Sequence, residues 1–201
     1  ANLTKIIVLM ESYIKQYPQE YTWFYKVWKY SKEADIVILS DGKTGHLRQS
    51  QMMGQMIQTA LADRGIESSM KITAVQFKNK FLMKIFSLYS FLFPFFTVQG
   101  RIGLLKYFLT EESFKEVQTL KCDFVVSCGS SLAGLNYFLS KESAAKSITI
   151  LKTGLLPANC FHLSVFPQHD MPQKETGVYQ NGKLWMAVTH AAPNLINEDY
   201  L

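Results

Sequence analysis

Four side chains that can carry charge or move a proton lie close together near the start of the chain. They are Asp41, Lys43, His46 and Arg48. They follow residues 36–39, a short β-branched apolar run that predicts a strand buried on both faces. Gly42 and Gly45 separate them, and an apolar pattern of helical period then continues to Leu61. The stretch therefore predicts a strand, a tight glycine turn and a helix.

A turn of this kind lies at the carboxyl end of its strand, where open α/β sheets bind ligands. The free amides and the dipole of the following helix favour an anion there. Gly42–Lys43–Thr44 is similar to the end of a P-loop, but that motif needs a glycine where Val37 stands. Gly45 is also expected to break a helix that begins at the lysine, so we do not expect a nucleoside triphosphate site. The alternative is an ordinary turn, in which Asp41 bonds its own backbone and both glycines adopt unusual conformations.

A second unit of the same kind follows residues 124–128, which predict another buried strand. Gly129, Ser130 and Ser131 open the next helix, and their amides and hydroxyls are suited to a phosphate or a sugar. Ser131 is disfavoured as a hydrolase nucleophile, because Ala133 stands where the pattern G-x-S-x-G needs its second glycine.

His169 and Asp170 follow a third predicted strand, at residues 163–166, and are further catalytic candidates. The alternative for this pair is a local turn in which the aspartate bonds nearby backbone. Asn181–Gly182 predicts a hairpin turn.

Residues 78–109 combine an apolar, phenylalanine-rich run with an unusual charge pattern. No Asp or Glu occurs from residue 68 to residue 110, whereas six cations do. The run is too short to cross a bilayer, and it suits a helix that lies in an anionic membrane interface. Burial in the protein core is the alternative. The predicted membrane-contact residues are Lys80, Lys84, Phe91, Phe95 and Arg101.

The composition sets wide limits on function. A chain of 201 residues forms one or two domains, and its net charge of +5 favours anionic partners in general. No nucleic-acid motif accompanies the basic residues, so we expect no nucleic-acid partner. The three cysteines lack a C-x-x-C pair and indicate a reducing compartment. A zinc site built from Cys128, Cys160 and His162 fits no standard spacing, and we expect neither a metal nor another cofactor.

Residues 1–34 differ in character from the rest and predict a helical arm with one apolar face. Residues 11–29 resemble the C-terminal tail of the lipid A lauroyl-type acyltransferases, where an amphipathic helix runs into a Pro-Glu-Gln-aromatic-x-Trp segment. No histidine in the chain has an acidic residue five positions later, as acyltransferase catalysis would need. The resemblance therefore implies only a tail, with a fused acyltransferase upstream; an arm that packs on the main domain is the alternative.

Residues 35–197 resemble another family, the bacterial and plant "mitochondrial fission, elongated-mitochondria" family. Residues 40–49 are similar to its opening Ser-Asp-Gly-x-x-Gly-x-x-x-Gln, and residues 125–129 to its Ile-Ser-Cys-Gly strand end. Residues 161–170 resemble its Phe-Asp-Leu-Val-Val-x-Pro-x-His-Asp segment, with His162 in place of the aspartate. Residues 188–194 resemble its Thr-x-Gly-Ala turn, with two residues out of step.

This second resemblance implies a GT-B glycosyltransferase-like fold, in which two Rossmann-like domains face each other across a cleft. Residues 35–201 would be the acceptor-side domain, a mostly parallel α/β sheet flanked by helices, without the donor-binding domain. Membrane-associated members of that fold dock through an apolar, basic patch on this half. The plant members of the family are discussed as fission factors rather than enzymes.

Together these features predict a glycosyltransferase-like domain at the cytoplasmic face of the plasma membrane, acting on a phosphorylated or glycosylated lipid acceptor of the lipid A type. Asp41, or the pair His169 and Asp170, would activate an acceptor hydroxyl as general base. The predicted acceptor-binding residues are Gly42, Lys43, Thr44, Gly45, His46, Arg48, Gly129, Ser130 and Ser131. The alternative is a non-catalytic module that uses the apolar, basic stretch to recruit a partner at a membrane.

Overall fold

A computed structural model describes residues 2–17, 32–92 and 101–193 of the chain. The chain divides into two compact units, Ala1–Ser31 and Lys32–Leu201. In the first unit, α1 covers Asn2–Gln16, as the apolar period at its start predicts. Its apolar side chains, among them Ile6, Ile7, Met10 and Tyr13, are exposed to solvent.

The second unit is built on one seven-stranded sheet. Its strands are β1 (Glu33–Ser40), β2 (Glu67–Ala74), β3 (Phe124–Cys128), β4 (Lys146–Ile150), β5 (Leu163–Pro167), β6 (Gly177–Asn181) and β7 (Leu184–Thr189). Their order across the sheet is β2-β1-β3-β4-β5-β7-β6. Every neighbouring pair is parallel except β6 and β7, which form an antiparallel hairpin. The fold class predicted from the sequence, a mostly parallel α/β sheet of Rossmann-like type, is confirmed.

Helices cover both faces of this sheet. They are α2 (Thr44–Ala62), α3 (Lys80–Leu92), α4 (Leu105–Phe108), α5 (Glu111–Gln118) and α6 (Ser130–Glu142). The chain runs outward from β1 to β2 through α2 and then returns past β1 to β3 through α3, α4 and α5. Because such crossovers are right-handed, reversing the direction places α2 on one face and the later helices on the other.

The strand β1 supplies side chains to both hydrophobic cores, as the apolar run at its centre predicts. Ile36 and Ile38 pack in the core beneath α2, and Val37 and Leu39 pack in the core beneath α3 to α6. A strand whose alternate side chains are both buried lies in the interior of a three-layer fold. The first residues after β1 are therefore anchored at the carboxyl end of an interior strand.

Two helical glycines let the layers approach closely. A Cβ atom at Gly54 of α2 would lie 2.6 Å from Met70 Sδ and 3.0 Å from Ile38 Cδ1. A Cβ atom at Gly134 of α6 would lie 3.0 Å from Ser90 Oγ and 3.2 Å from Phe86 Cε1, both on α3. Gly134 therefore sets the distance between α3 and α6.

Among the expected local features, the Asn181–Gly182 hairpin turn is confirmed and the helix break at Gly45 is wrong. Gly65 ends the first crossover helix with a φ of +69°, and Thr110 caps α5 by accepting a hydrogen bond from the Ser113 amide. Asn181–Gly182 closes the β6–β7 hairpin. Gly45, however, neither breaks the helix nor adopts an unusual conformation, because α2 begins at Thr44 and Gly45 lies within its first turn. The argument against a P-loop therefore depends on Val37 alone.

Candidate functional site

The carboxyl ends of β1 and β3 form the point where the strand order reverses. β1 and β3 are adjacent in the sheet, and the chain leaves them in opposite directions, toward β2 and toward β4. The order β2-β1-β3-β4-β5 is one of the two common orders of doubly wound sheets, and ligands bind in the crevice at its β1/β3 reversal. Both glycine turns predicted from the sequence lie there.

Asp41 is the centre of the contacts at this reversal. Its Oδ2 atom lies 3.0 Å from His46 Nδ1, in the first turns of α2, and accepts a hydrogen bond of 3.0 Å from Ser131 Oγ on α6. Its Oδ1 atom accepts a 3.2 Å hydrogen bond from the Lys43 amide. The Asp41 side chain is only 9% exposed, so residues from two helices enclose one carboxyl group.

Asp41 is ionised at neutral pH. Burial alone would raise its pKa, but the hydrogen bonds from His46, Ser131 and the Lys43 amide outweigh burial and hold the pKa of this carboxyl below its usual range. A carboxylate with hydrogen bonds already made on both oxygens is a weak proton acceptor. These contacts favour an orienting role for Asp41, and its expected role as general base stays a prediction.

The contact with Asp41 fixes the tautomer of His46. An ionised carboxylate can only accept hydrogen bonds, so His46 Nδ1 must carry the proton that lies between the two groups. In the neutral imidazole, Nε2 then has a free lone pair. The His46 side chain is 24% exposed, so part of it is in contact with solvent.

Gly129 provides the surface on which the His46 ring lies. Its φ is +80°, and a Cβ atom there would lie 2.8 Å from His46 Cε1. No side chain could occupy this position without moving the imidazole. The turn after β3 therefore positions His46 through Gly129, and Asp41 through Ser131.

The predicted cationic residues do not all face the same point. Lys43 Nζ lies 3.4 Å from Asp41 Oδ2, but the lysine side chain is mostly exposed. Arg48 is exposed and forms no salt bridge with any residue that the structure describes. Thr44 and Gly45 are also exposed in the first turn of α2, and Gly42 has a φ of +82° in the turn before it. Binding of an acceptor group by these residues stays a prediction.

Two further close approaches hold the turns that carry the site residues, and neither was predicted from the sequence. Cys128 Sγ donates a 3.2 Å hydrogen bond to Gln49 Oε1, and burial raises the pKa of this thiol to about 12. A Cβ atom at Gly154, in the loop after β4, would lie 3.0 Å from Ser130 Cβ. Cys128 is thus an inert structural thiol, and the loop after β4 braces the turn that holds Ser131.

His169 and Asp170 lie at the same edge of the sheet but not at the reversal. They form a short 3-10 turn after β5, and β5 is separated from β1 by β3 and β4. The separation of three strand spacings corresponds to about 14 Å. Asp170 Oδ1 lies 3.1 Å from Lys152 Nζ, and His169 is exposed. The structure thus does not bring this pair into contact with Asp41.

The predicted membrane-contact residues lie mainly on α3. Lys80, Lys84 and Phe91 are exposed on this helix, and Arg101 is exposed just before α4. Phe95 lies outside the described residues. In the ranges 2–17, 32–92 and 101–193, no helix has both the length and the apolarity needed to cross a bilayer. Nor do the described ranges contain a group of His, Cys, Asp and Glu residues that could hold a metal ion.

Fold and site together define a doubly wound α/β domain with an Asp–His pair at its topological reversal. No protein-family model matches the chain, and neither a curated protein nor a solved structure matches it significantly.

Proposed function

We propose that this chain is the acceptor-side domain of a membrane-associated glycosyltransferase-like protein that acts on a hydroxyl group of a lipid acceptor. The observation that carries the proposal is the 3.0 Å contact between Asp41 Oδ2 and His46 Nδ1 at the strand reversal. A buried carboxylate that fixes one imidazole nitrogen leaves the other as a general base. An acceptor of the lipid A type follows only from the sequence resemblances.

In the proposed reaction, His46 Nε2 takes the proton of the acceptor hydroxyl. The acceptor oxygen forms a bond to the anomeric carbon of a sugar donor, and the bond from that carbon to the leaving nucleotide breaks with its electron pair. Asp41 stabilises the imidazolium that forms. This assignment differs from the one made on sequence alone, because Asp41 acts on His46 and not on the acceptor.

The charges around Asp41 favour a neutral hydroxyl as the group that reacts. The Asp41 carboxylate already occupies the position where the start of α2 would attract an anion, and it takes its hydrogen bonds from the Lys43 amide, His46 and Ser131. A phosphate at the same point would face this negative charge. A phosphate elsewhere on the acceptor could still bind exposed cations such as Arg48.

The direct test measures transfer of sugar from labelled nucleotide sugars to a lipid extract, with the full-length natural gene product. His46→Gln and Asp41→Asn should lower turnover by about 100-fold or more, because they remove the base or its orientation. His190→Gln, at an exposed position after β7, is the matched control and should retain activity. Unchanged turnover in His46→Gln would refute the base assignment.

The second candidate is a non-catalytic module at a membrane surface, and the exposed apolar face of α3 favours it. The two functions differ at the site. If the protein is a non-catalytic module, His46→Gln and Asp41→Asn should have no effect on the cellular phenotype. Substitutions on α3 should abolish the phenotype.

A further inference from the structure

One face of α3 is apolar and exposed along its whole length. Phe81 is 71% exposed, Ile85 38%, Leu88 47% and Leu92 58%. Their spacing of four, three and four residues aligns them on one side of the helix, and we call this set the α3 stripe. The opposite side, with Phe86 and Ser90, is buried against α6.

All the charged side chains that border the α3 stripe are positive. Lys80 and Lys84 lie on the same helix, both are exposed, and neither pairs with an acidic residue in the described ranges. Lys78, just before the helix, donates from Nζ to the Lys106 carbonyl, which leaves its charge without an acidic partner. Lys71 is different, because Glu116 lies 3.5 Å from its Nζ and offsets its charge.

We propose that the α3 stripe is a docking face for an anionic lipid bilayer. Exposed apolar side chains bordered by lysines on a single helix match the headgroup and acyl layers of such a surface, where each cation adds attraction. The helix α1 differs, because it carries an acidic residue, Glu11, which lies 2.7 Å from Lys15 Nζ, whereas α3 carries none. A groove on a protein partner is the competing occupant, and the test below separates the two.

The packing of α3 relates this docking face to the candidate site. Phe86 and Ser90 meet α6 at Gly134, which lies three residues beyond Ser131, about 4.5 Å along the helix axis. Ser131 in turn bonds Asp41. This step rests on the proposed function: docking by α3 would hold the β1/β3 reversal beside the membrane, where an acceptor embedded in the bilayer can reach His46.

The test is flotation of the purified chain with vesicles of phosphatidylcholine alone, or of phosphatidylcholine with phosphatidylglycerol. We expect binding to the anionic vesicles only. The charge reversal K80E/K84E should weaken it by at least about tenfold, since each cation near an anionic surface contributes about 1 kcal/mol. The matched control K146E/K183E makes the same change of charge at two exposed positions outside α3, the first residue of β4 and the turn between β6 and β7. It should bind at least about tenfold more tightly than K80E/K84E.

A second pair of variants tests the apolar part. I85S/L88S changes two exposed side chains, so the fold should persist, while binding to anionic vesicles should fall by about tenfold or more. The proposal is overturned if the wild type binds neither vesicle or both equally, or if I85S/L88S binds as the wild type does. Equal loss in K80E/K84E and in K146E/K183E would also overturn it, since that would show a response to net charge alone.

The vesicle assay reads no turnover, so its outcome is separate from that of the proposed function. His46→Gln should float with anionic vesicles as the wild type does. If docking holds while His46→Gln keeps full activity, only the enzyme assignment fails.

Discussion

Asp41 and His46 show how the surroundings of one carboxyl group decide its role. Both Asp41 oxygens accept hydrogen bonds, one from the Lys43 amide and the other from His46 and Ser131. The sequence places an acidic and a basic group together after β1. It does not reveal that the carboxyl group has hydrogen bonds on both oxygens, whereas the imidazole has one ring nitrogen available. Ser131 is 90 positions away and joins the pair only through the sheet.

At this scale, Asp41→Asn should reverse the tautomer of His46. The Lys43 amide needs an oxygen at the Oδ1 position, so the new NH₂ group would face His46 and donate to Nδ1. The proton would then move to Nε2. Long-range ¹⁵N–¹H correlation spectra of labelled histidine would detect the change, with exposed His190 as the internal control. An Nδ1–H pattern in the variant would contradict the contact between Asp41 and His46.

Gly129→Ala should destabilise the fold and displace the imidazole. Gly129 has φ +80° and ψ 170°, a conformation that essentially only glycine adopts and that costs about 1–3 kcal/mol for a residue with a Cβ atom. That atom would also lie 2.8 Å from His46 Cε1. Urea unfolding monitored by circular dichroism would measure the loss.

Gly45→Ala is the matched control for that experiment, because its Cβ atom would meet nothing within 4 Å and its φ is not positive. The helical position should make this change neutral or stabilising by about 0.5–1 kcal/mol. Equal destabilisation by both substitutions would refute the distinct role assigned to Gly129.

At the scale of elements, apolar pattern and turn chemistry were enough to place most strands. The β-branched run before Asp41 and the run 124–128 are long enough and apolar enough to predict β1 and β3. Strand β6 was not predicted, since every residue in it is exposed and its pairing with β7 depends on the hairpin turn. The approach of α3 to α6 was not predicted either, because Gly134 resembles any other helical glycine in sequence.

Ser90 gives a prediction about how α3 packs. Its hydroxyl is buried against Gly134 and has no hydrogen-bond partner in the described part of the chain. Ser90→Ala should therefore stabilise the protein by about 1 kcal/mol, since it removes an unsatisfied polar group and improves helix propensity.

Ser87→Ala, on the same helix, is the control for Ser90→Ala. The Ser87 hydroxyl donates a 3.0 Å hydrogen bond to the Met83 carbonyl, so its removal should give a smaller gain in stability or none. Urea midpoints of the two variants would decide, and an equal gain in both would show that helix propensity alone is responsible.

For the whole molecule, the lowered pKa of Asp41 predicts how stability depends on pH. Its ionised form is favoured by folding, so this contribution is fully present above the unfolded-state pKa of about 3.9 and is lost as the pH falls through the lower folded-state value. Wild type should exceed Asp41→Asn in unfolding free energy at pH 7, and the difference should shrink below about pH 4. A difference that stays constant down to pH 2 would contradict the prediction.

The pairing of β1 with β3 also has a consequence for how the chain folds. Asp35 and Asp123, at the start of this pairing, are 88 residues apart in sequence, whereas β6 and β7 are joined by a tight turn. Closing so long a loop costs entropy before any contact compensates it, so the hairpin can form early and the central pairing late. The hydrogen bond from Ser131 to Asp41 exists only once both strands are in register. A probe of that bond would therefore report the central pairing of β1 with β3, which we expect to form after the hairpin.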